Sequence, residues 1–177
     1  DASTVGTPVM LDDEHGQVAI YGIPYLDPDA VRDPWVLGVR SHEAALTEAM
    51  RRVRADLLSR SEHTRSVVMA HAFVAGASSS DSERDISVGG VSLVPTQTFA
   101  GIDYTALGHL HGRQTLADTV RYSGSPLAYS FSEADQVKGS WLVEIDADGF
   151  HAADFVAAPV PRPLRRLRGD LESLLAD

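Results

Sequence analysis

The chain has 177 residues, of which 44% are hydrophobic and 23% are charged, a composition typical of a globular protein with one sizeable core. Its formal net charge of -10 argues against a protein that coats DNA non-specifically, because phosphate attraction needs lysine and arginine. The lack of cysteine excludes disulfides, thiolate metal sites and cysteine nucleophiles. No apolar run approaches the roughly 20 residues of a membrane span, and no signal peptide opens the chain, so we expect a cytoplasmic protein.

The first half of the chain predicts a hairpin, a helix and a strand. Apolar runs at residues 9–11 and 18–21 flank a polar turn that contains glycine, which is typical of a β-hairpin. Residues 41–60 predict a helix, because apolar side chains recur at helical spacing after a serine that can cap its start. We expect His42, in the first turn, to be exposed and structural. Residues 65–71 predict an apolar strand that ends on a histidine.

The second half predicts short strands separated by loops, and the whole pattern indicates a mixed α/β or α+β fold. The predicted elements are a small polar loop at residues 76–85, a glycine turn at 89–90 with a short strand at 91–94, strands at 104–107 and 119–122, a tight turn at 123–126, a hairpin of strands 138–145 and 150–156, a proline-rich exit at 159–163 and a helix at 171–175.

The proline-rich exit predicts a domain boundary, with residues 1–158 in one unit and residues 159–177 forming a linker and the start of a following region. The chain begins at Asp1 without an initiating methionine and ends inside an amphipathic pattern, so we expect both ends to be cut. Arginines in the long helix predict a solvated face, with DNA contact as the alternative. They are Arg51, Arg52, Arg54 and Arg60, and a second basic cluster comprises Arg162, Arg165, Arg166 and Arg168.

Three of the seven histidines follow apolar, strand-like runs: His71, His109 and His111. If those two strands are neighbours in one sheet, the three imidazoles converge at one edge of it. Three histidines suffice for a mononuclear zinc site, whereas a two-metal site also needs carboxylates. The available carboxylates, none of them at a spacing that compels a metal role, are Asp81, Glu83, Asp103, Asp118 and Glu133.

The sequence lacks the motifs of several other enzyme classes. Residues 123–125, Ser-Gly-Ser, do not form the Gly-x-Ser-x-Gly elbow of serine hydrolases. No phosphate-binding loop of the Gly-x-x-x-x-Gly-Lys-Ser/Thr type and no Gly-x-Gly-x-x-Gly fingerprint occurs in the sequence. Spacing alone therefore predicts a histidine-rich metal site in an α/β protein and does not define its reaction.

A family resemblance extends this interpretation. Residues 108–111, Gly-His-Leu-His, resemble the last motif of the calcineurin-like metallophosphoesterases. Four segments in this order resemble one branch of that superfamily, the SbcD-type DNA-repair nuclease subunits, and the likeness runs from about residue 5 to residue 175. The segments are residues 68–74, 80–84, 103–111 and 121–133.

The resemblance implies part of a four-layer α/β/β/α sandwich that hydrolyses phosphodiester bonds of DNA ends in repair. It implies two divalent metal ions, usually Mn²⁺, with His71 and His109 on one ion and His111 on the other. It also implies DNA as substrate, an SbcC-type ATPase as partner, and a homodimer. By this resemblance residues 159–177 begin a DNA-capping region, and two interpretations of the basic cluster at residues 162–168 stay open: it leads into that region, or it is a solvated surface.

The family's Asp-x-His, Gly-Asp-x-x-Asp and Gly-Asn-His-Asp motifs do not occur here. These motifs supply the remaining ligands, the bridging aspartate and a catalytic histidine. We therefore expect the C-terminal half of the phosphoesterase domain only, inactive by itself, with no catalytic residue of its own and without most of the dimer surface. Two alternatives stay open: another calcineurin-like phosphoesterase acting on nucleotides or phosphoproteins, and a non-catalytic interaction module.

Overall fold

The fold is built on one mixed six-stranded sheet, as seen in a computed structural model that describes residues 2–61, 63–81, 83 and 93–175. A separate two-stranded hairpin and three helices complete the described structure. The strands are β1 (Val9–Asp13), β2 (Gly16–Ile23), β3 (Arg65–His71), β4 (Tyr104–Gly108), β5 (Gln114–Ala117), β6 (Val120–Tyr122), β7 (Gly139–Asp146) and β8 (Gly149–Ala157), and the helices are α1 (Pro28–Arg32), α2 (His42–Leu58) and α3 (Leu171–Leu175).

The strand order in the large sheet is β1-β2-β3-β4-β6-β5. The inner strands β2, β3, β4 and β6 are parallel, and the edge strands β1 and β5 pair antiparallel to their neighbours. Parallel neighbours end at the same edge of a sheet, so the carboxyl ends of β3 and β4 lie side by side. That edge is where the predicted histidines fall.

Helix α2 covers one face of the sheet. Ser41 caps its start, since the Ser41 hydroxyl accepts a hydrogen bond from the Ala44 amide at 3.1 Å. Its apolar stripe, which includes Leu46, Met50 and Val53, is buried in one cluster with alternate residues of the inner strands. Burying each of these side chains stabilises the fold by about 1.5–3 kcal/mol relative to exposure.

The opposite face of the sheet is only partly covered. Val9, Leu11 and Met69 are exposed there by 65%, 52% and 55%. Strand alternation and register place Met69 between Gly22 and Ala106 on that face. Parallel sheets are normally buried on both sides. An apolar face left open in this way is compatible with half of a sandwich.

The β7–β8 hairpin packs on the end of this second face where the parallel strands begin. Phe150 stacks on Tyr104 with ring centroids 5.8 Å apart, and the Arg121 guanidinium lies 5.1 Å from the Trp141 ring centroid. The predicted turn at residues 146–149 ends on a glycine with φ of +107°, as a tight hairpin turn requires.

Sequence and structure agree on the mixed α/β class, on the first hairpin, on α2, β3, β4 and β6, on the second hairpin and on α3. Two elements were not predicted, α1 and β5. Helix α1 carries a recognisable start, because Asp27 accepts from the Asp29 amide at 2.9 Å and Pro28 occupies the first turn.

Three local predictions are not confirmed by the structure. The glycine turn at 89–90 and most of the short strand at 91–94 lie outside the described residues, and Val94 itself forms a single parallel bridge with Val74. The tight turn at 123–126 is wrong, because these residues form no hydrogen-bonded turn, and the Ser125 amide instead donates to the His111 carbonyl at 3.1 Å. No described helix has both the length and the apolar character needed to cross a bilayer.

The helix arginines bind acceptors within the chain. Arg51 and Arg52 pair with Glu48, whose carboxylate oxygens lie 2.7 and 2.9 Å away. Arg54 donates to main-chain carbonyls of residues 98 and 100, and Arg60 donates to Asp56. These contacts support the structural interpretation of this face and give no support to the alternative of DNA contact.

Candidate metal centre

His71 and His109 stand together at the carboxyl ends of two adjacent parallel strands. His71 is the last residue of β3 and pairs in register with Gly108, the last residue of β4. His109 follows directly. The two imidazole rings contact edge to face, with centroids 5.1 Å apart and an interplanar angle of 65°. Two imidazoles this close can share one metal ion as ligands.

The backbone at His109 is held in an unusual conformation. Its φ is +117°, a region that residues with a side chain rarely adopt, and Val36 is the other non-glycine residue with positive φ in the described chain. The preceding carbonyl, that of Gly108, accepts a hydrogen bond from the Ala72 amide at 3.1 Å. Such strain persists only when the surroundings impose it, and it clusters at functional sites. Here the strained residue is one of the two whose rings meet at the strand ends.

Partial loss of solvent favours the neutral form of both imidazoles, although His71 is exposed at the end of β3 and His109 is half-buried. Loss of solvent lowers the pKa of His71 below the ordinary value for histidine. Burial also lowers the pKa of His109, and repulsion from a protonated His71 adds to this effect. A neutral imidazole is the form that binds a metal. The pair is therefore ready to act as a ligand at neutral pH.

Two further aromatic residues border the pair, Phe73 beside His109, with ring centroids 6.1 Å apart, and Tyr25 beside His71. The Tyr25 ring lies 6.0 Å from that of His71 and 5.6 Å from that of His42. The expectation that His42 is exposed is wrong: only 3% of it is accessible, because the first turn of α2 packs against this ring. Within the described part of the chain, the Nε2 atom of His42 has no hydrogen-bond partner.

His111 is held apart from the other two histidines. Its Nδ1 atom lies 2.9 Å from Oε1 of Glu133, and its ring lies 5.4 Å from that of Tyr129. Among the residues that the structure describes, no three histidine, aspartate or glutamate side chains form a group that could hold a metal. Within the described residues the three histidines therefore do not meet in one group, and their metal role stays a prediction.

The main chain of His111 is fixed at both ends. Its amide donates to Oε1 of Glu83 at 2.7 Å, and its carbonyl accepts from the Lys138 ammonium at 2.9 Å. Glu83 is itself anchored by the Ser80 amide and hydroxyl, at 2.6 and 2.7 Å. The described part of the serine-rich loop thus packs against the histidine motif.

Gly124 permits the close approach of a second segment to His111. Its φ is +88°, and a Cβ built there would lie 2.6 Å from the His111 carbonyl oxygen. Only glycine fits without moving one of the two backbones. Residues 123–125, which follow β6 directly, therefore lie alongside the histidine motif.

The donor set suits a divalent transition metal but is incomplete. His71 and His109 offer two adjacent neutral nitrogens, and His111 offers Nε2, because its Nδ1 faces a carboxylate. Two or three imidazoles without carboxylates do not complete either of two metal sites. The described part of the chain therefore presents at most part of a ligand set.

Known proteins resemble this chain over most of its length. The SbcD component of nuclease SbcCD from Escherichia coli K12 is 38% identical over 112 residues, which cover 62% of this chain, and the same protein of E. coli O157:H7 matches equally. The SbcD component of nuclease SbcCD from Staphylococcus epidermidis is 30% identical over 140 residues, 78% of this chain. The chain is homologous to the SbcD nuclease subunits. The recognition made from the sequence is thereby confirmed, and no family model matches the chain.

The homology covers only part of those SbcD proteins. The matched segments amount to 28% of the E. coli proteins and 37% of the S. epidermidis protein, so the chain spans about a third of its relatives' length. Activity, substrate and partners of the whole SbcD proteins are therefore a matter of proposal for this chain.

Two residues that hold His111 in place, Glu133 and Lys138, were not predicted from the sequence to have a role in this site. Glu133, noted only as one available carboxylate, is fully buried, and Lys138 is 4% exposed. The signal that could have found Glu133 is local: a capping serine at 130 begins a one-turn 3-10 helix at Phe131–Glu133. Nothing local in the sequence indicates that this turn lies beside His111, 22 residues earlier.

Proposed function

We propose that this chain is part of a metal-dependent DNA nuclease subunit of the SbcD type, which hydrolyses phosphodiester bonds. The observation that carries the proposal is the contact between His71 and His109 at adjoining strand ends, in a chain homologous to nuclease subunits. Imidazoles at such an edge suit metal-assisted phosphodiester hydrolysis.

In this proposal His71 and His109 hold one metal ion and His111 contributes to the other, both ions being Mn²⁺. When bound, such ions stabilise charge on the scissile phosphodiester and activate a water molecule. The chain's own part is to present neutral nitrogens. Partial loss of solvent lowers the pKa of both His71 and His109, and the strained φ of His109 occurs in the ring pair itself.

The remaining ligands, the bridging carboxylate and the catalytic histidine would come from another part of a longer protein. Three observations support this: the described residues hold no three-ligand group, the family's other motifs are missing from the sequence, and the matches span about a third of the relatives. We further propose that the open sheet face around Met69 packs against that other part, as the second half of a sandwich.

We also propose a division at the proline-rich segment, with residues 1–158 in the phosphoesterase domain and residues 159–177 beginning a region that caps DNA. Partners in the proposal are DNA and an SbcC-type ATPase, because the relatives are named as components of an SbcCD nuclease. The location that suits such partners is the cytoplasm. A homodimer is a property of the family, and we do not propose it for this chain alone.

The test is Mn²⁺-dependent cleavage of linear duplex DNA by the longest natural form of the protein together with its ATPase partner. We expect His71→Ala and His111→Ala to reduce cleavage nearly to background while the circular dichroism spectrum stays unchanged. His63→Ala is the matched control, since His63 is exposed and lies outside the site. Wild-type cleavage by either site variant would reduce that histidine to a structural role.

The 177-residue chain alone provides a second test. We expect no Mn²⁺-dependent cleavage and only weak Mn²⁺ binding by calorimetry, because carboxylate ligands are missing from the donor set. Robust cleavage that His109→Ala abolishes would contradict the proposal that ligands come from elsewhere, and so would a nanomolar dissociation constant. For the longest natural form of the protein, a linear duplex and a nucleotide phosphodiester assayed side by side separate a nuclease from a phosphoesterase of small substrates.

A further inference from the structure

Glu133 is a carboxylate with no exposed surface, next to a histidine of the candidate site. A charge removed from water is costly unless it is paired and hydrogen-bonded. The turn that carries Glu133 is itself well formed: Ser130 caps it, with the Ser132 amide donating to the Ser130 hydroxyl at 3.0 Å. The buried position is therefore built into the local fold.

The two oxygens of Glu133 have different partners. Oε2 accepts from the Lys138 ammonium at 2.6 Å and from the Tyr129 amide at 3.3 Å, with the Ser125 hydroxyl at 3.4 Å. Oε1 faces Nδ1 of His111 at 2.9 Å. The lysine thus balances the charge, and the other oxygen is directed at the imidazole.

Lys138 binds the same histidine from the other side. Besides Glu133, its ammonium donates to the His111 carbonyl at 2.9 Å and to the Ser125 hydroxyl at 2.8 Å. The Ser125 amide donates to that carbonyl too, at 3.1 Å. The buried pair therefore holds both the ring and the main chain of His111, which a merely space-filling ion pair would not do.

A carboxylate accepts hydrogen bonds and cannot donate them. Facing Glu133, Nδ1 of His111 carries the hydrogen, and Nε2 becomes the nitrogen with the lone pair. Carboxylate–histidine contacts of this kind set the tautomer and orientation of metal-binding imidazoles. We propose that Glu133, supported by Lys138, is a positioning residue that fixes His111 as the Nδ1–H tautomer in one orientation.

The tautomer and orientation of His111 are properties of the protein without metal. The consequence for metal binding rests on the proposed function. The two statements can be tested separately, because the first is read by spectroscopy after a chelator has removed all metal.

The experiment is a two-bond ¹H–¹⁵N correlation spectrum of the protein labelled with ¹⁵N-histidine, in chelator, with His111 assigned by loss of its signals in His111→Ala. We expect the wild type to show a single Nδ1–H tautomer at His111. A wild-type spectrum dominated by the Nε2–H form, or by a mixture, overturns the proposal without any variant.

The variant is Glu133→Met combined with Lys138→Met, which removes both buried charges, leaves neither unpaired and leaves no side-chain acceptor for Nδ1 at position 133. We expect its His111 to lose the single tautomer and its Mn²⁺ affinity to fall about 10–100-fold. Glu133→Asp, which keeps the charge on a shorter side chain, should partly restore the tautomer. An unchanged His111 spectrum in a folded double variant would show that the pair is structural only.

Asp146→Asn is the matched control, because Oδ2 of Asp146 lies 3.2 Å from Nδ1 of His151 in an exposed pair. It should leave both the His111 spectrum and Mn²⁺ affinity unchanged. A tautomer change in the double variant without any loss of Mn²⁺ affinity would support the positioning role and contradict a metal role for His111.

Discussion

The rings of His71 and His109 contact edge to face with centroids 5.1 Å apart, and the backbone of His109 reaches this position through a φ of +117°. The contact joins the ends of two neighbouring parallel strands, so a rigid sheet fixes the spacing of the two nitrogens. The strained φ belongs to His109, whose ring contacts that of His71.

The strain at His109 predicts an unusual order of stability. His109→Ala and His109→Gly both remove the imidazole, but only alanine retains a Cβ in this backbone region. We expect His109→Gly to be more stable than His109→Ala by about 1 kcal/mol, after allowing for the extra freedom that glycine gives the unfolded chain. Urea unfolding measures the difference. Alanine as the more stable of the two would mean that the backbone relaxes when the ring is removed.

The close approach at Gly124 predicts a larger loss. Gly124→Ala adds a Cβ 2.6 Å from the His111 carbonyl oxygen at a φ of +88°, so it combines strain with a backbone clash. Gly76→Ala is the matched control, since Gly76 has a φ of +91° but no atom within 4 Å of its would-be Cβ. We expect about 1 kcal/mol for Gly76→Ala and at least twice that for Gly124→Ala, from urea midpoints. Equal losses at the two positions would contradict the packing described at His111.

The pair of Asp56 and Arg60 predicts part of the acid sensitivity of the fold. The Arg60 guanidinium, at 2.6 Å, and the Tyr21 hydroxyl, at 2.8 Å, lower the pKa of Asp56 despite its partial burial. A lowered pKa contributes stability above the unfolded-state value of about 3.9, and this contribution is lost as the pH falls through the folded-state pKa.

Asp56→Asn should therefore cost about 1 kcal/mol at pH 7 and progressively less below about pH 4. The control is Asp154→Asn, at an exposed position on β8. Urea unfolding between pH 2 and pH 7 gives the comparison, and a constant cost across that range would exclude the ion pair as the cause. Burial and Asp56 also raise the pKa of Tyr21 to about 12, which a spectrophotometric titration can measure.

The open sheet face predicts a difference in chemical reactivity. Met69 is 55% exposed, whereas Met50, on the core-facing side of α2, is fully buried. If another layer of the longer protein covers this face, peroxide should oxidise Met69 rapidly in the 177-residue chain and at least several-fold more slowly in the longer protein. Met50 should react slowly in both. Peptide mass spectrometry gives the rates, and equal rates at Met69 in the two proteins would mean that nothing covers it.

The histidine motif shows which features of the site the local sequence pattern can predict. Apolar runs ending on His71 and just before His109 predicted two strands, and an adjacent parallel pair was the condition for bringing the rings together. The sequence alone could not show that the two strands are adjacent, because strand order depends on contacts between distant segments. The same limit applies to His111, because only the structure shows that its ring contacts Glu133 and Tyr129.

The sequence by itself determined the mixed α/β class, the apolar stripe of α2, the two strand ends that carry histidines and the likeness to SbcD proteins, because these depend on the order and spacing of neighbouring residues. Only the tertiary structure decided that His42 is buried, that the sheet leaves the face around Met69 open, and that Glu133 and Lys138 lie behind His111. Burial and buried charge pairs arise from segments far apart in the chain. No local periodicity records which carboxylate meets which imidazole.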